Sequence, residues 1–218
     1  MIEIKDVTKY YGTRKGPARI LNNVNLTIHP AERIGILGRN GAGKSTLVRL
    51  IGGAEQPTSG TIRRDMTVSW PLAFSGAFSN ALTGYDNLRF ICRVYGVDPS
   101  TREEAVQEFS ELGVYLREPV RNYSAGMRSR LAFAISMTIE FDCFLIDEVI
   151  SVGDARFREK CHHELFEKRA DRAMILVSHD PGYIREHCHR AAVLHGGTLH
   201  HFDSMDEAYD FYLSHLTG

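Results

Sequence analysis

The sequence predicts an α/β fold with a mostly parallel sheet core and an added antiparallel β portion. Three observations carry this. Short apolar strands alternate with amphipathic helices along most of the 218 residues. A glycine-rich loop, "GRNGAGKST", joins a buried strand to a helix. Two stretches at the front, "MIEIKDVTKYY" and "ARILNNVNLTIHP", have the alternation of antiparallel strands.

The elements follow in order. "RIGILG", Arg33 to Gly38, reads as a short buried strand, and Lys44 to Ile51 as a helix stopped by Gly52-Gly53. "GTIRRDMTVSW" returns to strand. Asp86 to Tyr95 and Glu103 to Leu112 read as helices, the second behind a capping-box pattern at Ser100-x-x-Glu103. "LAFAISMTI" continues a helix that starts near Ser124. "CFLID", "AMILVS" and "AAVLH" are three short apolar strands, and "ARFREKCHHELFEKRA" between the first two is a charged amphipathic helix. Ser204-Met205-Asp206-Glu207 is a second capping box; Met205, Ala208, Phe211, Tyr212 and Leu216 follow at the spacing of a helix packed on its own core. No internal repeat or low-complexity linker interrupts the chain.

Composition narrows the function. With 43% hydrophobic and 24% charged residues, the chain reads as an ordinary soluble globular protein. A net charge of −1 gives no electrostatic case for nucleic acid or anionic lipid. The longest apolar stretch, Leu131 to Ile139, falls far short of the about 20 residues a bilayer span needs. No basic-then-apolar leader opens the sequence, so no secretion signal is expected. Cys92, Cys143, Cys161 and Cys188 form no C-x-x-C and are read as reduced thiols in cytosol. The doublets His162-His163 and His200-His201 lack partners at zinc-finger spacing and are read as solvated or half-buried.

The chemistry begins at the glycine-rich loop. Gly38-Arg39-Asn40-Gly41-Ala42-Gly43-Lys44-Ser45, followed by Thr46, matches G-x-x-x-x-G-K-[ST] in the strand-to-helix setting the motif requires. Glycines let the backbone wrap close to phosphate oxygens, and the N–H groups and dipole of the helix face the anion. Lys44 is placed for the outer phosphates, and Ser45 offers a hydroxyl to Mg²⁺. "CFLIDE" is an apolar strand ending in two carboxylates: Asp147 is a Mg²⁺ ligand, often through water, and Glu148 a general base or orienter for the attacking water. His179, ending "ILVSH", is a candidate sensor of the terminal phosphate or its attacking water; taken alone it reads as a structural histidine, and its order after the acidic pair is what makes it a candidate. A second small turn runs into a helix at "YSAGMRSR", Tyr123 to Arg130, and raises the question of which phosphate it serves.

The order "GRNGAGKST", "YSAGM", "FLIDE", "SVGD", "VSHD" resembles the nucleotide-binding subunit of an ABC transporter, over nearly the whole chain. The resemblance implies a P-loop NTPase fold of ABC type, one domain over 1–218 with a helical subdomain at about 86–140. It implies an ATPase using ATP and Mg²⁺, with the whole loop Gly38 to Thr46 on ATP and Tyr11 stacked on adenine; Tyr10 is the neighbouring choice, and a front-strand tyrosine is also an ordinary core residue. "YSAGM" matches the signature motif, which closes over ATP held by a second copy. Ser124 and Gly126 are then donors to the partner's γ-phosphate, and Asp154, in the D-loop match "SVGD", lies across the same seam. A homodimer with two ATP molecules follows, since the chain has one loop and one signature.

Coupling to a membrane implies an integral-membrane permease dimer as a separate polypeptide and a place on the cytoplasmic face of a bacterial inner membrane. The family's coupling segment corresponds to Val68 to Phe90, where most members carry a glutamine; here the only glutamines are Gln56 and Gln107, and Trp70-Pro71 stands roughly in its place. That departure, with "SWPLAFSGAFSNALTGYDNLRF", "FDCFLIDEVISVGDARF" and "FDSMDEAYDFY", resembles the ATPases of capsular polysaccharide exporters. Their cargo is a lipid-linked polysaccharide, and periplasmic and outer-membrane components complete such machines. Relatives that export O-antigen or teichoic acid are the alternative; some carry a further carbohydrate-binding domain, for which a chain ending near Gly218 is expected to have no room. A soluble ABC ATPase acting on ribosomes or DNA is disfavoured, because no second cassette, coiled-coil insertion or basic footprint is present.

Overall fold

The computed structural model describes residues 1–72, 78–147 and 154–215. The chain divides into two compact units: one of Met1–Pro71, Phe141–Val149 and Asp171–Gly218, the other of Leu72–Glu140 and Ile150–Ala170.

In the first unit, β1 (Ile2–Thr13) and β2 (Gly16–Ile28) form an antiparallel hairpin. Val24, Leu26 and Ile28 are buried in strict alternation, as a half-buried strand demands. β3 (Arg33–Leu37) leads into α1 (Lys44–Ile51), and β4 (Ser59–Arg64) pairs antiparallel with the other edge of β1. A second sheet has the order β5-β6-β7-β3-β8-β9, built with β5 (Val68–Pro71), β6 (Cys143–Asp147), β7 (Ala173–Ser178), β8 (Arg190–His195) and β9 (Thr198–His201). Its pairings are parallel except β8 with β9. All six residues of β7 are buried, which is why Ala173 to Val177 run continuously rather than alternately apolar. One hydrophobic cluster joins both sheets to Leu47, Val48, Leu50 and Ile51 of α1. Eight residues are too few for a stable isolated helix, so packing holds α1; each fully buried Leu or Ile contributes about 1.5–3 kcal/mol as an upper estimate. α6 (Pro181–His187) and α7 (Met205–Ser214) complete the unit.

The second unit contains α2 (Gly84–Val94), α3 (Glu103–Ser110), α4 (Ala125–Thr138) and α5 (Ala155–His162), the last continuing into a π-helical turn, His163–Glu167. Phe109 of α3 stacks on Phe133 of α4 and meets Phe157 of α5 edge-on, each at 5.6 Å between ring centroids. Lys160 ties α5 to the end of α3 through the Glu108 and Phe109 carbonyls and Glu111.

Several expectations change. "GTIRRDMTVSW" is two strands, β4 and β5, in different sheets. The switch is fixed by Thr67, whose N–H and hydroxyl donate to Asp142 Oδ2 at 2.9 and 2.8 Å, a partner 75 residues away. Ser100 does not cap α3. It lies in a 3₁₀ turn, Pro99–Thr101, capped by Asp98, while the N-cap residue of α3 is Arg102, which makes no side-chain capping bond. The reciprocal capping box belongs instead to α2, between Thr83 and Asp86. Before α7, Ser204 Oγ accepts from Glu207 N at 3.2 Å. α6 and β9 were not expected from periodicity, both being short. Leu216 lies outside the described residues. Cys92, Cys143 and Cys161 are buried, Cys188 is half-buried and all are free thiols; burial pushes Cys143, Cys161 and Cys188 up to about 12, which favours the protonated thiol.

Candidate nucleotide site

The loop after β3 is shaped by residues that its backbone requires. Gly43, the N-cap of α1, has φ 106°, and a Cβ there would lie 3.0 Å from Leu21 and 3.2 Å from Ile20. No side chain caps α1, which leaves its first N–H groups for an anion. Lys44 is only 7% exposed; its Nζ donates to the carbonyls of Gly38 at 2.6 Å and Arg39 at 3.0 Å, which satisfies a charge that would otherwise be costly to bury. Asn40, Gly41, Gly43, Lys44, Ser45 and Thr46 line a cavity of about 540 Å³. The other three loop residues act behind it. Gly38 and Arg39 supply those carbonyls, Ala42 packs on the core, and the Arg39 guanidinium reaches out to the His215 carbonyl at 3.5 Å.

Parallel register brings the remaining chemistry to the same sheet edge. Asp147 lies opposite Val177, and Ser178 opposite Leu37, so the C-terminal ends of β6, β7 and β3 are side by side. Asp147 lines the cavity with Ser45. His179 follows β7 at that edge, exposed and outside the cavity lining; its carbonyl accepts from the Tyr212 hydroxyl of α7 at 3.1 Å. Glu148 lies outside the described residues.

Tyr11, near the end of β1, also lines the cavity, whereas Tyr10 is 40% exposed and does not. The Tyr11 hydroxyl donates to Glu55 Oε2 at 2.5 Å and accepts from Arg49 at 3.0 Å. Sequence reading missed Glu55, Arg49 and the lining residue Ile20. Glu55 is the only charged residue between Gly52 and Gly60, a signal that marks it out but does not name its partner.

The second unit holds the other turn. Ser124 is the N-cap of the 14-residue α4, and its Oγ accepts from Met127 N at 3.2 Å, which leaves its O–H to donate outward. Ser124, Ala125 and Gly126 are exposed, and a Cβ at Gly126 would meet only Ser124 Oγ, at 3.9 Å. Asp154 caps α5: Oδ1 accepts from Phe157 N and Oδ2 from Arg130, both at 2.9 Å. The Phe157 N–H, ahead of Arg130, holds the carboxyl below its usual range. Residues 151–153 of "SVGD" and 73–77 of the coupling segment lie outside the described residues. A larger cavity of about 1070 Å³ in this unit is lined by Glu103, Glu104, Glu108 and Glu111 with Arg89 and Arg117; so acidic a wall opposes a triphosphate.

The sequence profile of the family described as ABC transporter matches residues 21–151. The chain belongs to the ABC transporter family. It is 60% identical over 212 residues to the ATP-binding protein BexA of Haemophilus influenzae, covering 97% of this chain and 98% of that protein. It is 57% identical over 214 residues to the capsule polysaccharide export ATP-binding protein CtrD of Neisseria meningitidis serogroup B, covering 98% and 99%. Its fold is that of the ATP-binding cassette MJ0796, solved as a dimer in a post-hydrolysis state with ADP and Pi: TM-score 0.76, 23% identity, 91% of this chain and 96% of that one. The expected ABC ATPase fold, parallel core and antiparallel portion together, is the one found.

The ABC cassette fits a Mg²⁺-nucleotide on its own observations. At Gly43 the backbone packs so close to Leu21 and Ile20 that a Cβ would crowd them, an ammonium is already buried against the loop, and a hydroxyl, a carboxylate and an aromatic residue line one cavity. No helix among the described residues is long and apolar enough to cross a membrane.

Proposed function

We propose that this chain is the ATP-hydrolysing subunit of an exporter that moves lipid-linked capsular polysaccharide across a bacterial inner membrane. It works as a homodimer on the cytoplasmic face, docked on an integral-membrane permease dimer, with periplasmic and outer-membrane components completing the route. The observation that carries the reading is the convergence of Lys44, Ser45, Asp147 and Tyr11 on one cavity in a chain 60% and 57% identical to BexA and CtrD over nearly full length.

ATP is the substrate. The loop N–H groups and Lys44 take its phosphates, and the Tyr11 ring takes adenine. Ser45 and Asp147 would hold Mg²⁺, which when bound offsets phosphate charge. Glu148 accepts the proton of the attacking water or orients it, and His179 senses the terminal phosphate. Ser124 and Gly126, presented on an exposed helix N-terminus, donate to the γ-phosphate held by the other copy, and Asp154 lies at the same seam. ATP across the seam favours closure, and hydrolysis releases it.

Two measurements test this. Glu148→Gln should bind ATP normally, lower turnover by on the order of 100-fold and accumulate a dimer on size exclusion; normal turnover removes Glu148 from the reaction. In a capsulated bacterium lacking its own export ATPase, the wild-type gene should restore surface polysaccharide and the Glu148→Gln gene should not. Active ATPase with polymer still trapped inside the cell would overturn the cargo.

A further inference from the structure

We infer that Glu55 and Arg49 are positioning residues for the nucleotide base, holding the Tyr11 ring at a set angle over the cavity before ATP arrives. This rests on the reading of Tyr11 as the adenine platform. The hydroxyl of Tyr11 is bonded from both sides: it donates to Glu55 Oε2 at 2.5 Å and accepts from Arg49 Nη2 at 3.0 Å. Arg49 Nε closes the triangle on Glu55 Oε1 at 2.6 Å. Lys9 reaches Glu55 Oε2 at 3.2 Å, and its ammonium lies 5.2 Å from the Tyr11 ring centroid.

The network links the base platform to the phosphate cradle. Arg49 stands on α1, the helix that the phosphate loop launches, and its Nη2 is also 3.3 Å from Thr46 Oγ1 in that loop. Glu55 comes from the turn that follows α1, where Ala54 and Glu55 N–H groups donate to the Arg49 carbonyl at 2.9 and 3.3 Å. A ring on the end of a strand is free to swing about two side-chain torsions. Pinning its para oxygen removes that freedom in advance, so less ordering entropy is lost when adenine stacks. The tyrosine hydroxyl acts away from the base, as an anchor. The Tyr11 O–H is also the foremost cause that holds the Glu55 carboxyl down at about 2, which keeps it an acceptor throughout the physiological range.

The base and the triphosphate separate in a binding experiment. Affinities for ATP and for inorganic tripolyphosphate, both with Mg²⁺, are measured on the full chain and on Tyr11→Ala, Tyr11→Phe, Glu55→Ala and Glu55→Gln. Tyr11→Ala should weaken ATP by about 10-fold and leave tripolyphosphate within about twofold. Glu55→Ala and Tyr11→Phe should each weaken ATP by about 3- to 5-fold with tripolyphosphate again unchanged, and the double variant should add nothing further. Glu55→Gln keeps an acceptor and the fold, and should fall between Glu55→Ala and wild type. If Tyr11→Ala binds ATP like wild type, the adenine reading fails and the positioning role with it. If Tyr11→Ala weakens ATP while Glu55→Ala and Tyr11→Phe do not, the platform stands and the positioning role is overturned. If Glu55→Ala weakens both ligands equally, Glu55 merely supports the loop, which also overturns it.

Discussion

The two glycine-bearing turns at the starts of α1 and α4 have similar sequence chemistry and opposite surroundings. Around Gly43 the backbone is in a left-handed conformation, the space for a Cβ is occupied by Leu21 and Ile20, and the next residue, Lys44, is buried. Around Gly126 the helix start is exposed and a Cβ would touch almost nothing. The first turn already has a lysine, a hydroxyl and a carboxylate of its own unit around a cavity. The second offers an uncluttered helix N-terminus. Packing fixes the first turn at Gly43 and Lys44 and leaves the space above Gly126 open; under the proposed dimer, that open turn is the half that meets a nucleotide held by the other copy.

The sharpest way to break this contrast is to remove one charge from the first turn and add bulk to the second. Lys44→Ala should weaken ATP binding by on the order of 100-fold, measured by nucleotide titration, because no other ammonium lines the cavity among the described residues. Ser124→Arg should leave ATP binding by the single chain within about twofold while turnover falls by on the order of 100-fold and the ATP-dependent dimer disappears from light scattering. Equal loss of binding in both variants would erase the distinction.

The glycines themselves give a smaller effect with the same logic. Gly43→Ala combines a positive φ with a crowded Cβ and should cost about 1–3 kcal/mol in chemical denaturation. Gly126→Ala should change stability by no more than about 0.5 kcal/mol. The smallest expected effect lies beside the first turn. Glu55, ordinarily at 4.5, is depressed to about 2, so its stabilisation is complete above pH 4.5 and is lost as pH falls toward 2. The melting-temperature gap between wild type and Glu55→Gln should therefore shrink across that window; a constant gap would mean that the Glu55 charge is not what Tyr11, Arg49 and Lys9 respond to.

Legibility followed the range of the interactions involved. The phosphate loop, β3 before it and α1 after it stand where the spacing puts them, because backbone conformation there is set within a few residues by Gly43 and Lys44. The N-cap at Ser124 was equally local. The split of "GTIRRDMTVSW" was not: both halves have strand chemistry, and contacts across 75 residues, the clamp of Thr67 on Asp142 and the pairing of β5 with β6, assign β5 to the parallel sheet. The misplaced capping box has a related cause. Asp98 Oδ1 accepts from both the N–H and the hydroxyl of Ser100, which ties that serine to the 3₁₀ turn, and the reciprocal pair at Thr83 and Asp86 uses an aspartate where the pattern looks for Glu or Gln.

The sequence by itself determined the type of fold, the loop that takes phosphate, the strand that ends in Asp147 and the resemblance that placed the chain among ABC transporters. Tertiary structure alone decided what anchors Tyr11, the tyrosine that the resemblance had marked and that lines the cavity. Tyr11 and Glu55 are 44 residues apart, and no local spacing encodes their contact. It exists because β1 and the turn after α1 are packed on one core, and a bond between distant side chains follows from that packing, not from the torsions of either segment.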